Sequence, residues 1–282
     1  MLPYSTVVWS TFLFGGRRMP YAKNGDVNIY YEVEGEGKPL MLAHALTGNL
    51  QSWKNSGYPN ALKEDYRLIL FDARGHGESD KPHSVDAYTP ELMSSDVLAV
   101  LDATRTNQTH YFGYSMGSKI GFWLATHYPE FFHSFILAGM TPYGFSEEVV
   151  NRLNGIAGLR RMQISDPDAY IQRIQSQVSR PLSNAEKNVH LSGDPQALVA
   201  AIEGFIHWTP LTNEDLSGIS QPCLVYCGEE DEGGFHNATK DCVNHMPNAK
   251  YISFPGLGHL QAQFNIDVVL PPIREFLESV DK

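Results

Sequence analysis

The 282-residue chain is 42% hydrophobic, enough to bury one domain with an insertion or two small domains. Its 21 Lys and Arg face 32 Asp and Glu, a formal net charge of -11 that disfavours nucleic acid or an anionic membrane surface as partner. The three cysteines, Cys223, Cys227 and Cys242, match neither a disulfide framework nor a zinc-binding spacing; Cys223 and Cys227 read as core residues of a reduced, cytoplasmic protein, with no metal or cofactor expected.

Residues 2–14 are largely apolar but too few to span a bilayer. A secretory leader carries its positive charge before such a run, whereas Arg17 and Arg18 follow it. Residues 1–18 are therefore expected to form an extension outside the core, and no membrane span is expected. Residues 21–34 alternate polar and apolar side chains around Asn24-Gly25-Asp26, a hairpin signal. Residues 39–45 and 66–71 are short apolar runs, the first holding His44 and the second ending at Asp72. Unbroken apolar character marks strands covered on both faces. A helical pattern over 91–103 follows Thr89-Pro90, a suitable start. Residues 109–112 then read as a strand and 116–127 as a helix that stops near Pro129. Strand-like runs recur at 132–138, 222–227 and 250–254, and 268–280 reads as a closing helix. The alternation implies an α/β chain with an open, mostly parallel sheet flanked by helices.

One stretch breaks the pattern. Residues 141–216 hold no strand-like run, only helical pieces punctuated by Gly155, Gly158, Pro167, Pro181, Gly193-Asp194-Pro195 and Pro210. That is too long for a connection, so it must fold into something. It begins at a strand's carboxyl end, the side on which open α/β sheets bind ligands. A helical cap over 142–216 is expected, inserted between core segments 19–141 and 217–282.

Between the strand at 109–112 and the following helix lies Gly113-Tyr114-Ser115-Met116-Gly117. A serine on a sharp strand-to-helix turn needs glycine on both sides, because the strained backbone crowds its neighbours. The helix beginning just after it aims backbone N–H groups and partial positive charge at any oxyanion formed beside the serine. An alcohol is a poor nucleophile at neutral pH, so Ser115 needs a base, and the base needs an orienting acid. His259 follows the Pro255-Gly256-Leu257-Gly258 loop after the last strand, where a packing role has little to explain it. Asp231 lies just past the strand end at Cys227-Gly228. Its neighbours Glu229, Glu230 and Glu232 read as a solvated charged loop.

From Met19 onward the chain resembles the α/β-hydrolase superfamily. Three stretches carry the resemblance: His44-Ala-Leu-Thr-Gly48, Asp72-Ala-Arg-Gly-His-Gly-Glu-Ser79, and the Ser115 turn. It implies an α/β-hydrolase fold with Leu46 and Met116 N–H groups forming the oxyanion hole. It gives His44 and the Asp72–Ser79 loop structural roles, although His44 also stands where it can touch substrate. Two positions depart from the family pattern. Ala45 stands where glycine is usual beside the oxyanion, and Ser118 where a second glycine is common. His44, Trp53, Met140, Trp208 and Leu257 fall near strand ends or in the cap and are candidates for a substrate pocket. A serine rather than a carboxylate at the turn implies attack on a carbonyl. The resemblance is nearest to carboxylesterases and 3-oxoadipate enol-lactonase-like proteins, so the expected partner is a small ester or lactone. Cleavage of a carbon–carbon bond, perhydrolysis by the same triad, and a hydrolase-like ligand receptor stand as alternatives.

Overall fold

The strand-like runs assemble into one eight-stranded sheet. Its strands are β1 (Tyr21–Asn24), β2 (Val27–Glu34), β3 (Lys38–Ala43), β4 (Tyr66–Phe71), β5 (Thr109–Tyr114), β6 (Phe132–Ala138), β7 (Cys223–Gly228) and β8 (Ala249–Phe254). The computed structural model describes residues 20–282 and a short antiparallel pairing of Leu13–Phe14 with Arg17–Arg18. The rest of the expected extension over 1–18 lies outside the described residues.

The spatial order is β1-β2-β4-β3-β5-β6-β7-β8. Only β1 with β2 and β2 with β4 pair antiparallel; the other neighbours are parallel. The hairpin turns at Gly25, whose φ of 60° suits glycine, so that Asn24 pairs with Val27. Every residue of β5 and β7 is buried, as their unbroken apolar runs require.

Because side chains alternate across a strand, one sheet fills two cores. Met41, Ala43, Ile69, Phe71, Tyr111 and Leu137 face one side. There they pack under helices α3 (Pro90–Ala103), α4 (Met116–His127) and α10 (Phe235–Val243). Leu40, Leu42, Leu68, Leu70, Phe112 and Ile136 face the other side. That side is covered by the short helices α1 (Gln51–Asn55) and α2 (Tyr58–Leu62) and by α11 (Gln261–Phe264) and α12 (Ile266–Val280). Burying a side chain such as Phe112 contributes about 1.5–3 kcal/mol. Among the described residues no helix is long and apolar enough to cross a membrane.

Between β6 and β7 the chain forms only helices: α5 (Glu147–Ser165), α6 (Pro167–Gln175), α7 (Asn184–Leu191), α8 (Pro195–Ile206) and the short α9 (Asn213–Ser217). The punctuation there starts helices more often than it breaks them. Pro167 and Pro195 occupy first-turn positions, where a missing N–H costs nothing, behind Asp166 and Asp194 caps. Ser183 and Glu186 form a capping box for α7. Gly155 and Gly158 do not punctuate at all: both lie inside the continuous 19-residue α5. The packing of α5 against α8 outweighs the weak helix preference of two glycines. Nothing lies within 4 Å of a Cβ built on either glycine. Replacing both with alanine should therefore raise stability by about 1–2 kcal/mol and Tm by about 2–4 °C in thermal unfolding. A lowered Tm would contradict a continuous α5.

Candidate active site

The Ser115 turn is built as its glycines require. Ser115 has φ 53° and ψ −112°, a left-handed conformation that costs a non-glycine residue energy. A Cβ on Gly113 would stand 2.3 Å from the Gly117 carbonyl oxygen, and one on Gly117 would stand 2.2 Å from that of Ala43. Neither clash is with a flexible side chain, so neither can be relieved cheaply. The Ser115 N–H donates to Ala138 O at 2.8 Å, and Tyr111 Oη donates to Gly117 O at 2.7 Å. These bonds hold the turn against the sheet.

Three loops at the carboxyl ends of β5, β7 and β8 bring Ser115, Asp231 and His259 together. His259 Nε2 lies 3.0 Å from Ser115 Oγ, and His259 Nδ1 lies 2.7 Å from Asp231 Oδ2. With Nδ1 donating to the carboxylate, Nε2 is free to take the serine proton. All three residues are buried. Gly233 N–H donates to Asp231 Oδ1 at 2.9 Å, so both carboxylate oxygens are engaged. Cys227 adds a long sulfur contact of 3.5 Å to Oδ2.

Among the described residues, neither the Leu46 N–H nor the Met116 N–H has a hydrogen-bond acceptor. The segments carrying them are tied together, because Gly117 N–H donates to His44 O at 3.1 Å. The turn over 45–48 closes through Gly48 N–H on Ala45 O at 3.0 Å, with Thr47 at φ 63°. Two buried histidines pin it. His44 Nδ1 bonds Ala45 O at 2.8 Å while its Nε2 accepts the Ala73 N–H at 3.0 Å. His76 Nδ1 bonds Arg74 O at 2.9 Å while its Nε2 accepts the Thr47 N–H at 3.3 Å. Each ring must stay neutral to accept at Nε2. Burial agrees, pushing His44 down to about 4 and His76 down to about 3. Asp72 completes the frame by accepting the Leu50 and Glu78 N–H groups at 2.7 and 2.8 Å. Arg74 is paired with Asp96 at 2.6 Å, deep in the protein.

Two of the suggested pocket residues are corrected. His44 has both ring nitrogens occupied by backbone, so it has no polar atom left to bond a ligand. Trp53 is fully buried on the α12 side of the sheet, 4.7 Å from the Phe112 ring and 5.2 Å from Tyr58. A tryptophan after an apolar strand fills that core readily, and the sequence does not tell which sheet face it takes. Met140 is buried in the core under α4 and α10, with its carbonyl accepting Thr239 Oγ1 at 3.3 Å. Trp208 is buried against Phe205, its Nε1 bonding Tyr88 O at 2.6 Å. Leu257 is half-buried, and its carbonyl accepts the Glu230 N–H at 3.1 Å. Ser118 fits its buried site, but its hydroxyl finds no partner.

Four residues near the site were not singled out by the sequence or were read otherwise. Phe235 lies 5.9 Å from the His259 ring, and Phe145 joins it to Phe205 through contacts of 6.3 and 5.2 Å. Glu232 is exposed as expected, but its Oε2 also accepts the His259 N–H at 3.1 Å. Lys119, one turn along α4 from Ser115, is buried and has no acid partner among the described residues. Its Nζ reaches Tyr143 O at 2.7 Å and lies 4.5 Å from the Phe145 ring, and burial lowers its pKa to about 7. A lysine at i+4 from the nucleophile is visible in the sequence, but its burial depends on residues 141–145 folding back.

A family profile described as alpha/beta hydrolase fold matches residues 38–263. The chain belongs to the α/β-hydrolase family. Among relatives of this α/β hydrolase, a non-heme haloperoxidase of Rhodococcus erythropolis is 26% identical, covering 93% of this chain and all of the relative. The 3-oxoadipate enol-lactonase 2 of Acinetobacter baylyi is 36% identical over 116 residues, 40% of this chain and 42% of its own length. Among solved structures, a thermophilic esterase from Thermogutta terrifontis superposes with a TM-score of 0.74 at 22% identity, covering 94% of this chain and 98% of its own. At that identity it supports the fold alone.

The neutral histidines give the loop a pH dependence. Both have folded-state values below the usual 6.5, so their contribution to stability is complete above about pH 6.5. It is lost as pH falls toward about 4 and about 3, because the unfolded chain binds those protons first. Urea unfolding at several pH values should show stability falling between pH ~6 and ~4, with a shallower slope in His44→Gln and His76→Gln.

Proposed function

We propose that this α/β hydrolase is a serine hydrolase that cleaves carboxylic esters or lactones through an acyl-enzyme. The observation that carries the reading is the unbroken bonding from Ser115 Oγ through His259 to Asp231, beside two N–H donors with no internal acceptor. Ser115 Oγ attacks the substrate carbonyl carbon, and its proton passes to His259 Nε2. The carbonyl oxygen becomes an oxyanion held by the Leu46 and Met116 N–H groups. As the tetrahedral intermediate collapses, the C–O bond to the alcohol breaks and the leaving oxygen takes the proton from Nε2. Water then attacks the acyl-enzyme with His259 as base, releasing the acid and restoring Ser115. Asp231 holds the imidazole oriented and stabilises it while it is charged.

The helices over 142–216 serve in this reading as a cap that selects the acyl group. Trp208, Phe205, Phe145 and Phe235 run as successive ring contacts toward His259, and Met140 and Leu257 flank the same strand ends. The cap's root is fixed by the buried Lys119 on the Thr141 and Tyr143 carbonyls. Such a lining suits an apolar acyl group rather than a charged one. A second reading has hydrogen peroxide replace water in the second half-reaction; it rests on the full-length similarity to the Rhodococcus haloperoxidase.

Hydrolysis of nitrophenyl esters of increasing acyl length, together with simple lactones, tests the reading. Wild type should turn over at least one series, and Ser115→Ala should lower kcat by about a thousandfold or more. Equal inactivity of the two proteins toward every ester and lactone would reject it. Phe145→Ala should shift the preferred acyl group toward a larger one, by about tenfold in the ratio of kcat/KM values. An unchanged length profile would remove the cap from substrate selection. Formation of peracid from ester and hydrogen peroxide at a rate exceeding hydrolysis would favour the second reading.

A further inference from the structure

His259 is carried by a segment with no regular structure of its own. Strand β8 ends at Phe254, and the chain then crosses Pro255, Gly256, Leu257 and Gly258 before reaching the histidine. Glycine-rich loops of this kind move unless something holds them. The Asp231 bond orients the ring, but it does not fix the backbone that carries the ring.

The backbone is held by two side chains, one from the last residue of β5 and one from the loop after β7. Glu232 Oε2 accepts the His259 N–H at 3.1 Å. Tyr114 Oη donates to the His259 carbonyl in a short hydrogen bond. Tyr114 is fully buried, with its ring 5.5 Å from the imidazole. The loop is close-packed around these bonds. A Cβ on Gly258 would lie 2.7 Å from Glu232 Oε1, and one on Gly228 would lie 2.1 Å from the Leu257 oxygen. The arrangement has a simple logic in sequence. Tyr114 immediately precedes Ser115, and Glu232 immediately follows Asp231, so each partner of His259 contributes its neighbour to hold the histidine's peptide groups.

We propose that Tyr114 and Glu232 are positioning residues that grip the His259 backbone at its N–H and its C=O and thereby set the distance between His259 Nε2 and Ser115 Oγ. The proposal rests on the serine-hydrolase reading and adds to it two residues that do not touch the reacting atoms. A displacement of the imidazole by a fraction of an ångström leaves substrate binding intact and slows proton transfer. The loss therefore belongs in kcat. A carboxamide at 232 still presents an oxygen acceptor to the N–H, so it preserves the grip, whereas a methyl group does not.

The test measures kcat and KM for a nitrophenyl ester in Tyr114→Phe, Glu232→Ala, Glu232→Gln and the Tyr114→Phe/Glu232→Ala double variant, with Ser115→Ala as control. Tyr114→Phe and Glu232→Ala should each lower kcat about tenfold with KM within about twofold of wild type. Glu232→Gln should recover most of the loss, and the double variant should lose less than the product of the two single losses. Wild-type kcat in both single variants, or equal losses in Glu232→Ala and Glu232→Gln, would overturn the proposal. Tyr114→Phe removes one oxygen; should it fail to fold, the comparison of Ala with Gln at 232 decides alone. Turnover that survives Ser115→Ala would instead reject the hydrolase reading itself, a separate result.

Discussion

The structure depends on one crowded point, where the backbone of Ser115 turns from β5 into α4. A positive φ at a serine is unfavourable, and it persists because the surroundings leave the turn no alternative. Gly113 and Gly117 let the turn close on itself and on Ala43, and the Ser115 N–H is fixed to β6. The same contact links the two sides of the site. Gly117 N–H reaches His44 O, so the start of α4 and the 45–48 turn move as one body. The Leu46 and Met116 N–H groups, which have no acceptor among the described residues, are thus set by the fold, and in the proposed mechanism they need no rearrangement when charge forms beside Ser115.

The polar groups behind that turn share a design in which backbone is held by buried side chains. His44 and His76 pin the 45–48 turn only while neutral, and Asp72 accepts two backbone N–H groups from neighbouring segments. Buried Tyr114 and exposed Glu232 hold the histidine loop, and buried Lys119 holds the first residues leading to the helices over 147–206. Irregular loops carry Asp231 and His259, and hydrogen bonds from side chains give those loops the rigidity that regular secondary structure would otherwise supply.

Much of this was legible in the sequence, and the reasons are local. Continuous apolar runs foretold the parallel strands, because β3 to β7 are covered on both faces. The G-x-S-x-G spacing foretold the turn, because glycines at those two positions answer steric contacts that do not depend on distant residues. The glycine-rich loop before His259 and the strand end before Asp231 pointed to the two side chains that lie in a hydrogen-bonded row with Ser115. The failures were matters of tertiary arrangement. Gly155 and Gly158 read as breaks although packing keeps α5 whole, and Trp53 gave no sign of which sheet face it fills. The structural role expected for His44 rests on a partner that no local pattern foretells, the Ala73 N–H that its Nε2 accepts. Glu232 looked like one of three solvated acids beside Asp231; its bond to the His259 N–H depends on a loop 27 residues away.

The central claim is that Ser115 is a nucleophile activated by His259. Reaction with a fluorophosphonate, followed by mass spectrometry of the peptides, tests it without requiring the natural substrate. The claim requires a single covalent adduct on the peptide containing Ser115, formed far more slowly in His259→Ala. No adduct under conditions where a known serine hydrolase is fully labelled would contradict it, as would an adduct on another residue or labelling at the same rate without His259.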